Sequence, residues 1–177
     1  MPDALDQRAA PPFTPARWLI PWLMQLHVCV YSRSGGRLGT SWGGLHHLLL
    51  TAIGRRSGKP HVVCLPYWLD EDGSLVVVAS FAGSPKHPAW YLNVTDRVRN
   101  ASVSVRDGRK VYAAEAEILT GTNRERVWAA LTADRPFYAD YQKRTAREIP
   151  LVWLRRTHGR VSPSISESHR GASNWEE

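Results

Sequence analysis

The chain is short of the residues that staple or metallate small folds: only two of its 177 residues are cysteine, Cys29 and Cys64. A disulfide framework is thereby excluded, and with it the usual secreted mini-domain. His27 with Cys29 is too small a set for zinc. His46 and His47 are neighbours on an expected strand and so point to opposite faces; no metal site is expected. No apolar stretch reaches the roughly 20 residues of a membrane-spanning helix. The opening "MPDALDQRAAPPFTPA" lacks a basic region followed by an apolar core, so a cytoplasmic location is expected. Internal repeats are missing. No Ser-His-Asp, Cys-His or paired-carboxylate spacing announces a nucleophile or an acid-base pair, which leaves room for chemistry supplied by a cofactor.

What is present begins with charge. A net charge of +7 implies attraction to anions, whether nucleic acid, an anionic membrane or an acidic small molecule. The stretch "TAIGRRSGKP" packs three cations, two glycines and a serine directly behind the apolar run Leu48 to Leu50. It is not a nucleotide-phosphate loop. Gly54 and Gly58 enclose three residues where that motif encloses four, and Pro60 takes the place of the magnesium-binding hydroxyl. A tight basic turn between strands remains, in which Arg55, Arg56, Ser57, Gly58 and Lys59 either grip an anion or face water. Eight tryptophans and six tyrosines suit core packing and equally the walls of a pocket for a planar ligand.

Residues 1–15, with Pro2, Pro11, Pro12 and Pro15, read as a disordered arm. An apolar helix is expected over about 16–31, covering an open end of the core or serving as a lid or a shallow membrane contact through Trp18 and Trp22. Strands follow in "HHLLLTAI", "HVVCLPYWL" and "SLVVVASF", the last two joined by a hairpin turn at Asp70 to Gly73. A short helix is expected over Pro88 to Val94. A second hairpin then joins "ASVSV" to "VYAAEAEI" about Asp107 and Gly108. Thr122 and Glu125 read as a capping box opening a helix to about Asp134. A helical segment from Phe137 to Ala146 and a last strand "IPLVWL" complete the pattern, and residues 157–177 read as a disordered tail. Strands in hairpins with helices at the beginning, middle and end make one α+β domain, residues 16–156, built on a small antiparallel barrel.

Two more segments are richer than plain structure needs. In "ASFAGSPKHPAWYLN" a buried strand runs into Gly83 and Lys86, and Pro88 opens a helix at its favoured first position. That leaves free N–H groups near Ser80 and Lys86, as a second anion site or as an ordinary loop. In "RPFYADYQKRT", Arg135, Tyr138 and Tyr141 recur every third residue and can share a helical face, where they either bond a polar acceptor or cap the core.

Taken together, "LLLTAIGRRSGKP", "LVVVASFAGSPKHPAWYLN" and "FYADYQKRTAREIPLVWL" resemble the deazaflavin-dependent nitroreductase and quinone reductase family, split-barrel reductases that use coenzyme F-420. The resemblance spans about Val30 to Leu154. It implies a split β-barrel of the flavin-binding kind and hydride transfer from the reduced coenzyme to an electron-poor acceptor. It further implies that Arg55, Arg56, Ser57, Gly58 and Lys59 hold the coenzyme's phospholactyl-oligoglutamate arm. By the same resemblance His61, Ser80, Phe81, Ala82, Gly83, Lys86, Pro88, Trp90, Tyr91 and Asn93 belong to its cleft. Tyr138 and Tyr141 border the substrate. Family members usually carry arginine at His61, proline at Cys64, glycine at Ala82 and often tyrosine at Arg135.

A cation in place of a phenol at the substrate edge favours an acceptor whose C=C is conjugated to a carbonyl, such as an enone or a dehydroamino acid in a peptide. Arg135, Tyr138 and Tyr141 are then the candidate catalytic residues. Quinone or nitro-compound reduction, or deazaflavin binding without turnover, are the alternatives. No nucleic-acid-binding module is recognisable, so the expected partner is a small molecule or a modified peptide, with membrane contact through the N-terminal helix as a further expectation.

Overall fold

The stretch Leu45–Ile53 is buried at six of its nine positions, the pattern of a strand covered on both faces. It is the seam of the barrel. The computed structural model describes residues 41–42 and 44–157; the expected arm, the apolar helix over 16–31 with its lid or membrane role, and the tail from residue 158 lie outside the described residues. Seven strands, β1 (Ser41–Trp42), β2 (Leu45–Ile53), β3 (Pro60–Leu69), β4 (Leu75–Val78), β5 (Val103–Asp107), β6 (Lys110–Ile118) and β7 (Leu151–Arg156), are joined by a 3-10 turn (Phe81–Gly83) and three helices, α1 (Ala89–Val94), α2 (Gly121–Asp134) and α3 (Phe137–Lys143). The strand order is β1-β2-β3-β4-β7-β6-β5. Strand β2 pairs with β3 on one side, from His47↔Pro66 to Ile53↔Pro60, and with β5 on the other, through Leu50↔Val105. All pairings are antiparallel, and the β2–β5 contact closes six strands into the expected barrel.

Side-chain alternation sorts two cores. Leu48, Leu50, Val77, Val105, Val152 and Leu154 fill the barrel. Their strand neighbours Val76, Leu151 and Trp153 point outward against Val127 and Leu131 of α2 and Phe137 and Tyr138 of α3. This explains why "LVVV" shows no alternation: both faces of β4 are covered. Each such buried Val or Leu contributes about 1.5–3 kcal/mol relative to exposure. The second layer is pinned by Asp70, whose side chain is fully buried. It accepts two hydrogen bonds from Arg126, at 2.9 and 2.7 Å, and one from Trp153 Nε1 at 3.2 Å. Hairpin β3–β4 is thereby tied to α2 and β7.

Among the boundaries that differ from the sequence expectation, four have a visible local reason. Strand β4 ends at Val78, short of Phe81, because Phe81 and Ala82 adopt left-handed backbone (φ 47° and 52°). Helix α2 begins at Gly121, with Thr120 as an N-cap that makes no side-chain capping bond. Thr122 is therefore inside the first turn and the Thr122–Glu125 capping box does not form. Leu119 N–H is still bonded to Leu151 O as strand, and Gly121, at φ 56°, turns the chain directly into the helix. Helix α3 stops at Lys143, before Ala146. The Gln142 amide takes over there, donating to Thr145 O and Arg147 O and accepting from Ile149 N–H. Finally, Thr157 is still attached to the barrel through its N–H to Ala113 O at 2.9 Å. Among the described residues, no helix is long and apolar enough to cross a membrane.

Candidate functional site

Where β2 leaves the barrel, the chain makes the basic turn. Gly54 N–H donates to Lys59 O and Gly58 N–H to Gly54 O, both at 2.8 Å. Gly58 sits at φ 66°, backbone that glycine adopts without strain. Gly54 is required for a different reason: a Cβ there would collide with Ser57 Oγ and the His61 ring. Ser57 Oγ in turn bonds His61 Nε2 at 2.9 Å and accepts Lys59 N–H at 3.2 Å. The turn is thus self-locked, and its cationic side chains are left outside the lock.

Two asparagines dock the turn against α1. Arg55 N–H donates to Asn93 Oδ1 at 3.2 Å. Asn100, fully buried, accepts Ile53 N–H at 2.7 Å and donates to Ile53 O and Asn93 O at 2.9 and 2.8 Å. Burial of an amide without partners is costly; here its groups are used to join the end of β2 to the helix.

Between the turn and α1 opens a cleft of ≈ 530 Å³, within the range of roughly 300–1,000 Å³ usual for small-molecule sites. Its floor is the apolar strand segments around Leu50, Ala52, Val62 and Val63; Arg55, Arg56 and Ser57 of the turn with His61, and Phe81, Pro88, Ala89, Trp90 and Asn93, complete the lining. Phe81 is 54% exposed although large and apolar. It is also held, with Ala82, in left-handed conformation, which costs about 1–2 kcal/mol for each non-glycine residue. Such strain collects at functional sites.

The electrostatics are one-sided. Among the described residues, no carboxylate lies within ion-pair distance of Arg55, Arg56, Lys59 or Lys86. Arg97, Arg99, Arg124, Arg126 and Arg155 each have such a partner. Unpaired cations beside an apolar floor fit a ligand with a flat apolar body and an anionic end.

The sequence-expected residues divide accordingly. Arg55, Arg56, Ser57, His61, Phe81, Pro88, Trp90 and Asn93 line the cleft. Gly58 and Lys59 shape the turn. Ser80 and Gly83 are buried, and Ala82 and Lys86 are exposed, in the loop behind Phe81. Lys86 N–H, expected to be free for an anion, is bonded to Ser84 Oγ at 3.3 Å. Tyr91 is not part of the lining; it packs against the barrel core with its ring 4.9 Å from His87. Tyr138 and Tyr141 lie on α3 in edge contact, centroids 6.0 Å apart. Neither lines the cleft. Tyr138 is 3% exposed, and burial pushes its phenol up to about 12. Tyr141 is half-buried beneath the Arg144 guanidinium.

Arg135 requires a correction. It precedes α3 rather than lying on it, and it is 2% exposed rather than open at the surface. Its Nη1 donates to Tyr67 O at 3.0 Å, and its Nε is 3.5 Å from the Asp134 carboxylate, which also accepts Trp68 Nε1–H. The every-third-residue spacing does bring Arg135 beside the Tyr138 hydroxyl and Tyr138 against Tyr141, but as a packed group whose guanidinium is buried.

Sequence reasoning missed Asn100 and Arg147. From outside the cleft, Arg147 donates to Ala79 O, Ser80 O and Ser84 O. Nothing in composition marks either residue. A polar side chain that bonds backbone carbonyls distant in sequence is visible only once the chain is folded.

Comparison with known proteins places the chain among relatives. Residues 23–156 match the family model of the F420H(2)-dependent quinone reductase. An F420H(2)-dependent quinone reductase of Mycobacterium tuberculosis strain H37Rv is 33% identical over 138 residues, covering 76% of this chain and 90% of that protein. A solved F420-H2 dependent reductase is 41% identical, covering 61% of this chain and 92% of that one, with a TM-score of 0.52. Another solved structure, described as a domain-swapped dimer, is 34% identical and covers 76% of this chain and 98% of that one, with a TM-score of 0.53. A barrel closed through β2, an apolar cleft with unpaired cations in its lining, and a family match over most of the length lead to one assignment: the chain belongs to the F420H(2)-dependent quinone reductase family.

Proposed function

We propose that the protein is an oxidoreductase that reduces a quinone-type acceptor with hydride from coenzyme F-420 seated in the cleft between the basic turn and α1. The observation that carries this reading is the pairing of an apolar floor with the unpaired cations Arg55 and Arg56. The reduced deazaflavin, when bound, supplies the hydride from its central ring. The residues present fit such a group. The apolar strand segments around Leu50, Ala52, Val62 and Val63 would offer a dry bed to a planar ring system. The guanidiniums of Arg55 and Arg56, with the Lys59 ammonium behind them, neutralise a phosphate and carboxylates. Phe81 and Trp90, also in the lining, would help to exclude water from such a ring, which favours hydride delivery over loss to solvent. Ser57 and His61 add hydrogen-bonding groups at the anionic end.

No side chain is needed as nucleophile. A quinone is reduced by hydride at one oxygen-bearing system and a proton from solvent or a nearby hydroxyl, with the charge in transit spread over the ring. The enone or dehydroamino-acid acceptor depended on a guanidinium at the substrate edge. With Arg135 buried against Tyr67 O, that support is withdrawn, and a modified-peptide substrate loses its basis with it. Neither phenol lines the cleft; of the two, Tyr141, half-buried on α3, is the more accessible to an acceptor, while Tyr138 is buried beside it.

The test is steady-state oxidation of the reduced coenzyme in the presence of a simple naphthoquinone, a nitroaromatic and a cyclic enone. Quinone turnover exceeding enone turnover by at least about tenfold is expected. Preference for the enone by a similar factor would restore the conjugated-carbonyl reading.

A further inference from the structure

Arg147 belongs to the segment between α3 and β7 and touches none of the cleft's lining, yet the loop that walls the cleft hangs on its guanidinium. Nη2 donates to Ala79 O at 3.1 Å and to Ser80 O at 2.8 Å; Nε donates to Ser84 O at 2.8 Å; Nη1 faces His87 Nδ1 at 3.4 Å. These contacts bracket Phe81 and Ala82 on both sides. Arg147 is itself held, because Gln142 Nε2 donates to Arg147 O at 2.8 Å and Gln142 Oε1 accepts Ile149 N–H at 2.9 Å. From the far side α3 presses on Gly83, where a Cβ would lie 2.6 Å from Tyr141 O and 2.8 Å from Arg144 Cβ.

A left-handed pair of non-glycine residues persists only where the surroundings over-determine it. At Phe81 and Ala82 those surroundings are the planar fork of one arginine and the close approach of α3. Lysine cannot replace the fork, since a single ammonium on a flexible stem does not span three carbonyls in fixed geometry. With the fork gone, the loop relaxes toward ordinary negative φ and the Phe81 ring leaves the wall.

We propose that Arg147 is a positioning residue of the coenzyme site: it holds Phe81 and Ala82 in the left-handed conformation and so fixes the aromatic wall against which the deazaflavin ring is seated. This rests on the reading of the cleft given above. It requires no contact between Arg147 and the coenzyme and no chemistry at Arg147. Its consequence is specific: loss of the fork weakens seating of the ring, and a residue at position 82 that takes left-handed backbone without strain makes the fork less necessary.

The experiment titrates coenzyme F-420 by fluorescence quenching into the wild-type chain, Arg147→Lys, Arg147→Gln, Ala82→Gly and the double variant Ala82→Gly/Arg147→Lys, with thermal melts and steady-state kinetics on each. Arg147→Lys and Arg147→Gln are expected to weaken binding by about tenfold or more. KM for the coenzyme should rise while kcat at saturation stays within about threefold, and adding Ala82→Gly to Arg147→Lys should recover most of the affinity. A role confined to global stability lowers the active fraction, so kcat falls and KM stays. That outcome, or Arg147→Lys binding as tightly as wild type, overturns the proposal and leaves the cleft reading intact. If Arg147→Gln does not fold, the lysine variant and its rescue decide the question. Failure of the wild-type chain to bind the coenzyme overturns the cleft reading, and the proposal falls with it.

Discussion

Arg55 and Arg56 are exposed, adjacent and free of acidic partners among the described residues, in a turn whose backbone is fixed by Gly54, Ser57 and His61. A cation whose backbone is already ordered loses less entropy when it meets an anion. Replacing both by alanine is expected to weaken coenzyme binding by several kcal/mol, since each charge-assisted contact contributes roughly 1.5–3 kcal/mol. The loss should shrink at high salt, because the groups are exposed and screened. Titration of the double variant at low and high ionic strength checks both parts; unchanged binding would make the turn a solvated loop. Arg135 gives the opposite expectation. Its substitution by leucine removes the buried hydrogen bond to Tyr67 O, a loss of about 1.5–3 kcal/mol for a charged donor, so quinone and enone reduction should fall together through a smaller folded fraction. A change in the ratio of the two rates would return Arg135 to the substrate edge.

At the level of elements, the cleft is held open by contacts between pieces distant in the chain: Asn100 joins β2 to α1, and Asp70 joins the β3–β4 hairpin to α2 and β7. The Arg126 hydrogen bonds, against the opposing effect of burial, hold the Asp70 carboxyl below the ordinary carboxylate range. A depressed folded-state pKa means that the unfolded chain binds the proton more readily. The contribution of Asp70 is therefore present above the unfolded value, ~3.9, and is lost as pH falls through the lower folded one. Asp70→Asn should lower Tm by several degrees at neutral pH and flatten the fall of Tm in acid. Melting curves from neutral to strongly acidic pH check this; parallel curves for the two proteins would remove Asp70 from the acid limb.

The barrel as a whole was legible because its signals are local. Hairpin turns at Asp70–Gly73 and Asp107–Gly108, two-faced burial in "LLLTAI" and "LVVV", and the basic turn each declare themselves within a few residues. What stayed hidden depends on distance in the chain. The capping box failed because a strand bond at Leu119 and the left-handed Gly121 moved the helix start. Spacing placed Arg135 beside Tyr138 but could not show that its guanidinium is buried against Tyr67 O and Asp134. Asn100 and Arg147 bond carbonyls far away in sequence, and no pattern announces such a partner. The motifs carried the family, while the side chains that organise the cleft had to be found in the folded chain.

A cleft of this build should select a planar ring carrying a long acidic arm, and parallel fluorescence titrations of the wild-type chain with coenzyme F-420 and with FMN decide whether it does. FMN offers a similar ring with a single short phosphate, so it can fill the apolar floor but engages fewer of the cations at Arg55, Arg56 and Lys59. Affinity for coenzyme F-420 at least about tenfold greater than for FMN, with the gap narrowing as salt is raised, is the predicted result. Equal affinity for the two, or a preference for FMN that salt does not alter, would contradict the account.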